Sequence, residues 1–469
     1  MYVAWTDTRN GATDIYLNYS TDLGATWQVT DVRLDTDPPG SALSQSCDVI
    51  CTADTVVVAW VDFRNQVFPT PSVNIVCNRS LDGGATWLTS DIALSDQTPS
   101  TSGPVRPFGL AATGLRVHVI TEADSGVFMR TSEDGGTTWP APVTISPPRT
   151  AFGARTIAPR VAIDDSTVHA AWFSTDSWSG DIFANHSDDA GQTWQPADDR
   201  LNSASINTAV PASVELSAID GFAHVVWTEE RGGIFDRDVF AARSADSGDS
   251  WLAEVQLTAE PPSFLNVPLP PEVAVDEAAL LVVWEENLSE IFGNYSQDRG
   301  ATWHGEFQVN STPLSSDRAL RGAPRSVIVD GLAHVVWKNE GGIYFTSIAL
   351  GCREVGGGCE GAGTPSCVGY PSSSASFSIE CPPSVHGCQG PSTVVFGSGA
   401  IQQIQVPPPI GCGPCGFVIE SSFGATVGAL DVGPGLVPGF QFSTQCGCLS
   451  FVGAPCVELS RGLVVFVGL

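Results

Sequence analysis

The chain has 469 residues and a formal net charge of −30, and Lys338 is its only lysine. Such a surface repels nucleic acid and anionic membranes, because the basic residues that neutralise phosphates are missing. We therefore expect no nucleic-acid partner and no membrane insertion, and the sequence contains no transmembrane run. Glycine and proline are frequent, and no window places apolar residues at helical spacing, so we expect many short strands and almost no helix.

An eight-residue pattern recurs six times and combines Ser with Asp, Gly and Trp two, four and seven positions later. Ser and Asp side chains hydrogen-bond nearby backbone in turns, and Gly supplies the positive φ that such a turn needs. The Trp begins the next strand and packs back over the loop. The pattern therefore predicts a hairpin turn. The six copies are STDLGATW from Ser20, SLDGGATW from Ser80, SEDGGTTW from Ser132, SDDAGQTW from Ser187, SADSGDSW from Ser244 and SQDRGATW from Ser296.

Each copy follows an apolar strand that ends in Trp and an acidic residue, as in VVVAWVD around Trp60 and HVVWTEE around Trp227. In the third copy HVITEA keeps Glu122 and lacks the Trp. A short strand such as DVFAARS lies between this strand and the turn, and a weaker strand such as PRVAIDD from Pro159 lies upstream. The repeating unit is therefore four short strands.

The eight-residue pattern resembles the Asp-box, or BNR repeat, of the sialidase superfamily. The resemblance implies an all-β fold, a sialidase-like β-propeller in which each unit is one blade and the Asp-box joins its third and fourth strands. It also implies that the Asp-box residues are structural rather than catalytic. These residues are Asp22, Asp82, Asp134, Asp189, Asp246 and Asp298, with Trp27, Trp87, Trp139, Trp194, Trp251 and Trp303.

The strands count to seven whole or partial blades. The first blade begins at its second strand, because Met1 directly precedes YVAW, and the last ends after GIYFTSI without an Asp-box. We expect seven blades in the full protein, closed by an upstream segment that also carries a signal peptide. Six blades, the usual number in sialidases, is the alternative.

In the sialidase family the substrate lies at the end of the propeller opposite the Asp-boxes. Three arginines clamp its carboxylate, a Tyr–Glu pair is the nucleophile and an Asp is the acid/base. The Arg-Ile-Pro motif of the first arginine is absent here. Its nearest equivalents, APR at Arg160 and at Arg325, lie at equivalent positions of two blades, which favours a scaffold role. No Tyr–Glu pair can be placed, so the catalytic residues stay unknown.

The end of the propeller opposite the Asp-boxes, where a ligand is expected, is instead rich in carboxylates. These are the last residues of the second strands, and an arginine follows some of them. A ring of acids disfavours an anionic sialoside and favours neutral sugars, cations or basic peptides. The simpler interpretation of a repeated Asp-x-Arg pair is a salt bridge between blades. The candidate residues are Asp7, Arg9, Asp62, Arg64, Glu122, Asp176, Glu229, Arg231 and Glu285, together with Arg160 and Arg325.

Two further patterns have structural explanations. His169, His224 and His334 occupy one second-strand position, with His118 close to it, which favours packing over a metal site. Asn-x-Ser sequons precede four Asp-boxes as part of the repeat, so they do not imply glycosylation. We expect no metal site and no cofactor. Calcium stays open because carboxylates at loop tips suit it, although no run matches a calcium loop.

The composition changes after residue 350, which divides the chain into a propeller over residues 1–350, a Gly-rich linker without regular structure over 351–366 and a Cys-rich β-sandwich-like domain over 367–469. Ten of the 13 cysteines lie after residue 350, which favours disulfides and an oxidising compartment. CGPC at Cys412–Cys415 has the letters of a thioredoxin motif, but GFVIES after it is typical of a strand rather than the helix that such chemistry needs.

Two functions are consistent with these features. The first is a secreted or cell-surface bacterial protein, a non-catalytic propeller that binds a glycan or an extracellular protein. The second is an exo-α-sialidase or related glycoside hydrolase. The missing arginine motif, the acidic ligand end and the uniform blades favour the first. The ligand, the disulfide pairing and the oligomeric state cannot be derived from the sequence.

Overall fold

The structure is a computed structural model, and it describes most of the first 350 residues with their side chains. The described ranges are 1–21, 26–64, 74–94, 108–123, 126–147, 154–176, 179–205, 209–231, 237–259, 268–277, 279–286, 290–310, 322–329, 332–339 and 342–350, and from residue 352 onward the backbone of the strands alone. All regular elements in these ranges are strands, which confirms the predicted all-β class. No helix in this part of the chain is long and apolar enough to cross a membrane.

Seven sheets, numbered here in chain order, occupy residues 2–349, and the strands of each sheet pair with their sequence neighbours. Sheet 1 has three strands and corresponds to a blade that begins at its second strand, and sheet 7 also has three. Their bounds are Tyr2–Asp7, Asp14–Tyr19 and Val32–Arg33 in sheet 1, and Gly322–Val329, Leu332–Asn339 and Gly342–Ala349 in sheet 7.

The five sheets between them have the four antiparallel strands of a propeller blade, as the repeat predicts. Sheet 2 contains Ser44–Thr52, Thr55–Asp62, Asn74–Ser80 and Ile92–Ala93. Sheet 3 contains Phe108–Thr113, Arg116–Ala123, Gly126–Ser132 and Val143–Ser146. Sheet 4 contains Ala154–Asp164, Thr167–Asp176, Ser179–Ser187 and Asp199–Arg200. Sheet 5 contains Val210–Ile219, Phe222–Glu230, Arg237–Ser244 and Val255–Gln256, and sheet 6 contains Glu272–Val275, Leu280–Glu286, Glu290–Ser296 and Phe307–Gln308.

The chain divides into two compact units, Met1–Val273 and Ala274–Leu469. Sheets 1–5 lie in the first unit, sheet 7 and the Cys-rich region lie in the second, and the division falls within the first strand of sheet 6. The number of blades in the full protein and the predicted domain boundaries stay predictions.

The second strand of sheet 2 is apolar on both faces because both faces are covered by neighbouring sheets. In sheet 2, Val58 and Trp60 pack with Ile15 of sheet 1, whereas Ala59 packs with Val119 of sheet 3. Trp60 is completely buried, and truncating such a side chain to Ala typically costs about 3–5 kcal/mol. Alternating side chains of one strand therefore bind two blades together.

The Cys-rich region forms three further sheets. The largest contains Cys352–Val355, Gly462–Phe466, Gln441–Ser450, Ser392–Ser398, Ser422–Val427 and Cys456–Leu459. The other two contain Gly358–Cys359, Cys415–Ile419 and Gln402–Val406, and Ser366–Val368, Phe377–Glu380 and Leu430–Val432. Two of these strands lie inside 351–366, so the expectation that this segment has no regular structure is wrong. Its glycines do not prevent pairing, because the partner strands Gly462–Phe466 and Cys415–Ile419 supply the hydrogen bonds.

A strand begins at Cys415, directly after the CGP sequence. The absence of a helix at that position agrees with the expectation that CGPC is not a redox motif. The disulfides of this region stay predictions.

Candidate functional site

The Asp-box turns are closed hydrogen-bond networks. In sheet 2 the buried hydroxyl of Ser80 donates to the Asp82 carboxylate at 2.6 Å and accepts from the Gly84 N–H at 2.8 Å. Asp82 also accepts from the N–H and the hydroxyl of Thr86, and the Trp87 indole N–H donates to the Gly84 carbonyl. These hydrogen bonds lower the pKa of Asp82 to about 2. The carboxylate is ionised at neutral pH and committed to the turn, which supports the structural role implied for Asp-boxes.

The Ser–Asp hydrogen bond recurs at Ser132, Ser187, Ser244 and Ser296. The indole hydrogen bond recurs at Trp139, whereas the Trp194 indole has no partner within the described residues. Asp22 of the first Asp-box lies outside the described residues. The φ of Gly84 is +92°, a region that favours glycine.

Each Asp-box of sheets 2–5 also contacts the preceding sheet. The Tyr2 hydroxyl donates to the Gly83 carbonyl at 3.0 Å. A Cβ placed on Gly191 would lie 3.4 Å from Cε1 of His118, and one placed on Gly248 would lie 2.9 Å from the His186 ring. His118, one of the recurring histidines, thus faces the turn of the next blade, as does His186, which supports a packing role for His118.

The second-strand acids at the opposite end are paired with the arginines that follow them. Asp62 is completely buried, and the Arg64 guanidinium binds it at 2.6 Å. Glu229 is equally buried and pairs with Arg231. Burial raises the pKa of Glu229, and Arg231 opposes this effect. Asp7 pairs with Arg9 at 2.6 Å in the more exposed first sheet.

Each of these arginines binds a second acid directly before the fourth strand of the same sheet. The second acids are Asp31, Asp91 and Glu254, with contacts of 2.9 Å from Arg9, 2.5 Å from Arg64 and 2.6 Å from Arg231. The expected salt bridge between blades is therefore wrong. The guanidinium spans one blade from its second to its fourth strand and covers the third, where Arg9 lies over the Tyr16 ring and Arg231 over the Phe240 ring.

Hydroxyl groups link two of these second acids to the preceding blade. The Thr36 hydroxyl of sheet 1 accepts from the Asp91 N–H of sheet 2, and the Ser203 hydroxyl of sheet 4 donates to Glu254 of sheet 5 at 2.5 Å. The sequence analysis missed these residues. In the sequence, such a pair can be recognised as a Ser or Thr shortly after the fourth strand of one blade and an acid directly before the fourth strand of a following blade.

The remaining candidates are dispersed. Glu122 is half-buried at the end of its strand, and Glu285 is buried. Asp176 ends its strand, and the structure describes its backbone but not its side chain. Arg160 forms a bidentate pair with Glu215 of the next sheet, with contacts of 2.8 and 2.9 Å. Arg325 occupies the equivalent register position of sheet 7 and is exposed.

One acidic cluster at this end was not predicted. The carboxylates of Asp14, Asp35 and Asp37 lie within 4.8 Å of one another, which makes them the candidate cation ligands among the described residues. The Arg33 guanidinium already lies among them, at 3.0 to 3.1 Å from each. Burial and the neighbouring Asp14 raise the pKa of Asp35 to about 7, although Arg33 opposes this. The arrangement is a four-residue ion network centred on an arginine.

The sequon asparagines complete the hairpins. Asn78 is 1% exposed, and its amide donates to the carbonyls of Leu34 and Leu88 while its oxygen accepts from the Leu88 N–H. Asn185 bonds Gln195 in the same way. These contacts explain why the repeat generates the sequon.

A family model described as a BNR repeat-like domain matches residues 1–265. No curated protein matches the chain significantly. Among solved structures, an α-L-arabinofuranosidase from Fusarium graminearum is similar at 15% identity over 68% of this chain and 97% of that chain, with a TM-score of 0.44. An α-L-arabinanase from Penicillium chrysogenum has 14% identity over 59% and 88%, with a TM-score of 0.36. An ulvan lyase has 12% identity over 74% and 89%, with a TM-score of 0.47.

Proposed function

This chain belongs to the BNR repeat-like family, the Asp-box repeat family of the sialidase superfamily, and from this premise we propose that it is a secreted, non-catalytic β-propeller that binds a glycan or an extracellular protein at the cell surface. The glycan we favour is neutral. A sialoside carboxylate would approach an end of the propeller that carries many carboxylates, and like charges oppose its binding.

The observation that supports a non-catalytic role is the commitment of the charged groups at this end. Arg9, Arg64 and Arg231 are each held between two acids of their own blade. A clamp on a substrate carboxylate needs guanidinium groups directed at a common point. Turning any one of these arginines inward would break two ion pairs, and for Arg64 and Arg231 it would leave a buried carboxylate without a cation, which typically costs about 3–5 kcal/mol.

The alternative, an exo-α-sialidase or related glycoside hydrolase, requires arginines that are available to substrate. A carboxylate with a pKa adjusted for acid catalysis is also needed. The described acid with the most strongly raised pKa at this end is Asp35, and its side chain is completely enclosed beside Arg33. Its burial separates it from any substrate and supports the binding function over hydrolysis.

The test is a glycan array of neutral and sialylated oligosaccharides probed with the purified chain, with retained glycans then analysed by mass spectrometry. We expect retention of a neutral class without change in its mass. Leu115→Ser, at the exposed turn beside an Asp-box, is the control and leaves retention unchanged. Release of terminal sialic acid from the array would favour the hydrolase instead.

A further inference from the structure

One register position of the second strand lies on the side of its sheet that meets the next sheet, as the contacts of Tyr2, Val57 and His118 with the next Asp-box show. In each sheet, the third-strand residue directly before the Asp-box serine pairs with one residue of the second strand, and that second-strand residue is the position meant here. Tyr2 occupies it in sheet 1 and Val57 in sheet 2. His118 and His169 occupy it in sheets 3 and 4. Histidine therefore occupies this position at two consecutive blade contacts, whereas Tyr2 and Val57, neither of which gains a proton in mild acid, occupy it at the two contacts before them.

His118 is enclosed at the contact between sheets 3 and 4. Its residue is 0% exposed, its Nδ1 lies 2.9 Å from the Thr131 hydroxyl, and its Nε2 has no hydrogen-bond partner within the described residues. Met129 and the Gly191 turn cover the ring. A proton on Nε2 would place a charge in this enclosed space without a partner, which is costly.

His169 has a similar environment at the contact between sheets 4 and 5. It is 1% exposed, and neither ring nitrogen has a hydrogen-bond partner in the described part of the chain. It lies on the strand face of Ala171 and Phe173, which pack against sheet 5. The His186 ring is 6.3 Å away and meets the Gly248 turn of sheet 5.

The charged groups around both rings are few. His118 has Arg116 on its own strand and Glu133 in the Asp-box of its own sheet nearby. The turn of sheet 4 meets the ring at Gly191, and the Asp189 carboxylate of that turn is already bound to Ser187 and Thr193. Around His169 are Asp164, His186 and His224, with Asp188 and Asp249 near the outer side of His186. Among the residues that the structure describes, neither imidazole has an acid at hydrogen-bonding distance that would hold its proton.

We propose that His118 and His169 make the contacts between sheets 3 and 4 and between sheets 4 and 5 acid-sensitive, so that mild acidification opens these two contacts before the contact between sheets 2 and 3. Burial lowers the pKa of both rings to about 4, whereas an exposed imidazole has a pKa of 6.5. The closed form is therefore fully favoured above pH 6.5, and this contribution is lost as the pH falls from 6.5 toward 4. At pH 5 the difference corresponds to about a 30-fold gain in the open form at each contact.

Hydrogen exchange of the whole chain at pH 7.5 and pH 5, corrected for intrinsic rates, tests the proposal. The amides of residues 187–194 and 244–251 should lose about 30-fold in protection at pH 5. Those of residues 132–139, which pack against Val57, serve as the internal control and should lose much less. Equal losses in all three Asp-boxes, or no loss in any, would overturn the proposal.

His118→Val, which copies Val57, provides a second arm. It should remove the pH effect at residues 187–194 and leave it at residues 244–251. His169→Val should do the reverse. A pH effect that persists at 187–194 in a folded His118→Val protein would contradict the assignment. If either variant fails to fold, the comparison of the three Asp-boxes in the unmodified chain at pH 7.5 and pH 5 still tests the proposal.

Discussion

Replacing Asp35 with Asn should stabilise the protein, although it removes a member of an ion network. Asp35 stands at the position that Asn202 and Asn310 occupy in sheets 4 and 6, where the Asn oxygen accepts from the N–H of Ile182 or Ile291. The carboxylate of Asp35 takes the same hydrogen bond, but it adds a third negative charge around Arg33. An amide keeps the hydrogen bond and removes the excess charge.

The size of the gain follows from the pKa of Asp35. The pKa rises from 3.8 in the unfolded chain to about 7 in the fold, and each unit corresponds to about 1.4 kcal/mol, which sets an upper bound of about 4 kcal/mol. Relaxation and water entry around a charged group reduce such values, so we expect about 2 kcal/mol. Because the folded pKa is raised, the cost in the natural protein is absent below pH 3.8, grows between pH 3.8 and 7 and is constant above that.

The assay is urea unfolding of Asp35→Asn and the natural protein at pH 5 and pH 8. The variant should be more stable at both values and should gain more at pH 8. Asp14→Asn is the matched control with the opposite sign. Although burial acts to raise the pKa of Asp14, hydrogen bonds from Arg33, Asn10 and the Gly40 N–H lower it overall, so its ionised form stabilises the fold. An Asp35→Asn variant that is less stable at pH 8 would refute the reasoning.

Three further predictions concern stability. Ser132→Ala removes the acceptor of the Gly136 N–H and the donor to Asp134, so unfolding should become easier by about 1–3 kcal/mol; denaturant titration checks this, and a change near zero would contradict the closed network. Arg64→Gln leaves buried Asp62 without a cation and should cost about 3–5 kcal/mol, whereas Arg9→Gln, in a more exposed pair, should cost much less; equal losses in thermal unfolding would be inconsistent with the burial difference. Because the net charge is −30, added salt should screen repulsion and raise the melting temperature from low to molar KCl, and a flat or falling response would oppose this.

The sequence was most informative where one local pattern repeats. Ser80, Asp82, Gly84 and Trp87 form a turn whose hydrogen bonds lie almost entirely within eight residues, so the pattern alone predicts its geometry. The four-strand unit follows because each Asp-box fixes where its third strand ends. The propeller class was therefore accessible from the sequence.

The partners of the charged residues were less accessible, because they depend on contacts between distant positions. Arg64 was expected to bridge two blades, but its second acid, Asp91, lies 27 residues away in the same blade. Only the register of the second, third and fourth strands brings the two together. The raised pKa of Asp35 could not be predicted for the same reason. It arises from burial and from the neighbouring Asp14, and no local sequence pattern reveals either.

The most direct test of the central claim is the rate at which the purified chain releases the fluorophore from a fluorogenic sialoside. The proposal of a non-catalytic propeller, in which Arg9, Arg64 and Arg231 are committed to ion pairs within their own blades, predicts no release above the uncatalysed background at any pH between 5 and 8. Release that Arg9→Gln abolishes while the protein stays folded would show an arginine that acts on substrate, and it would contradict the proposal.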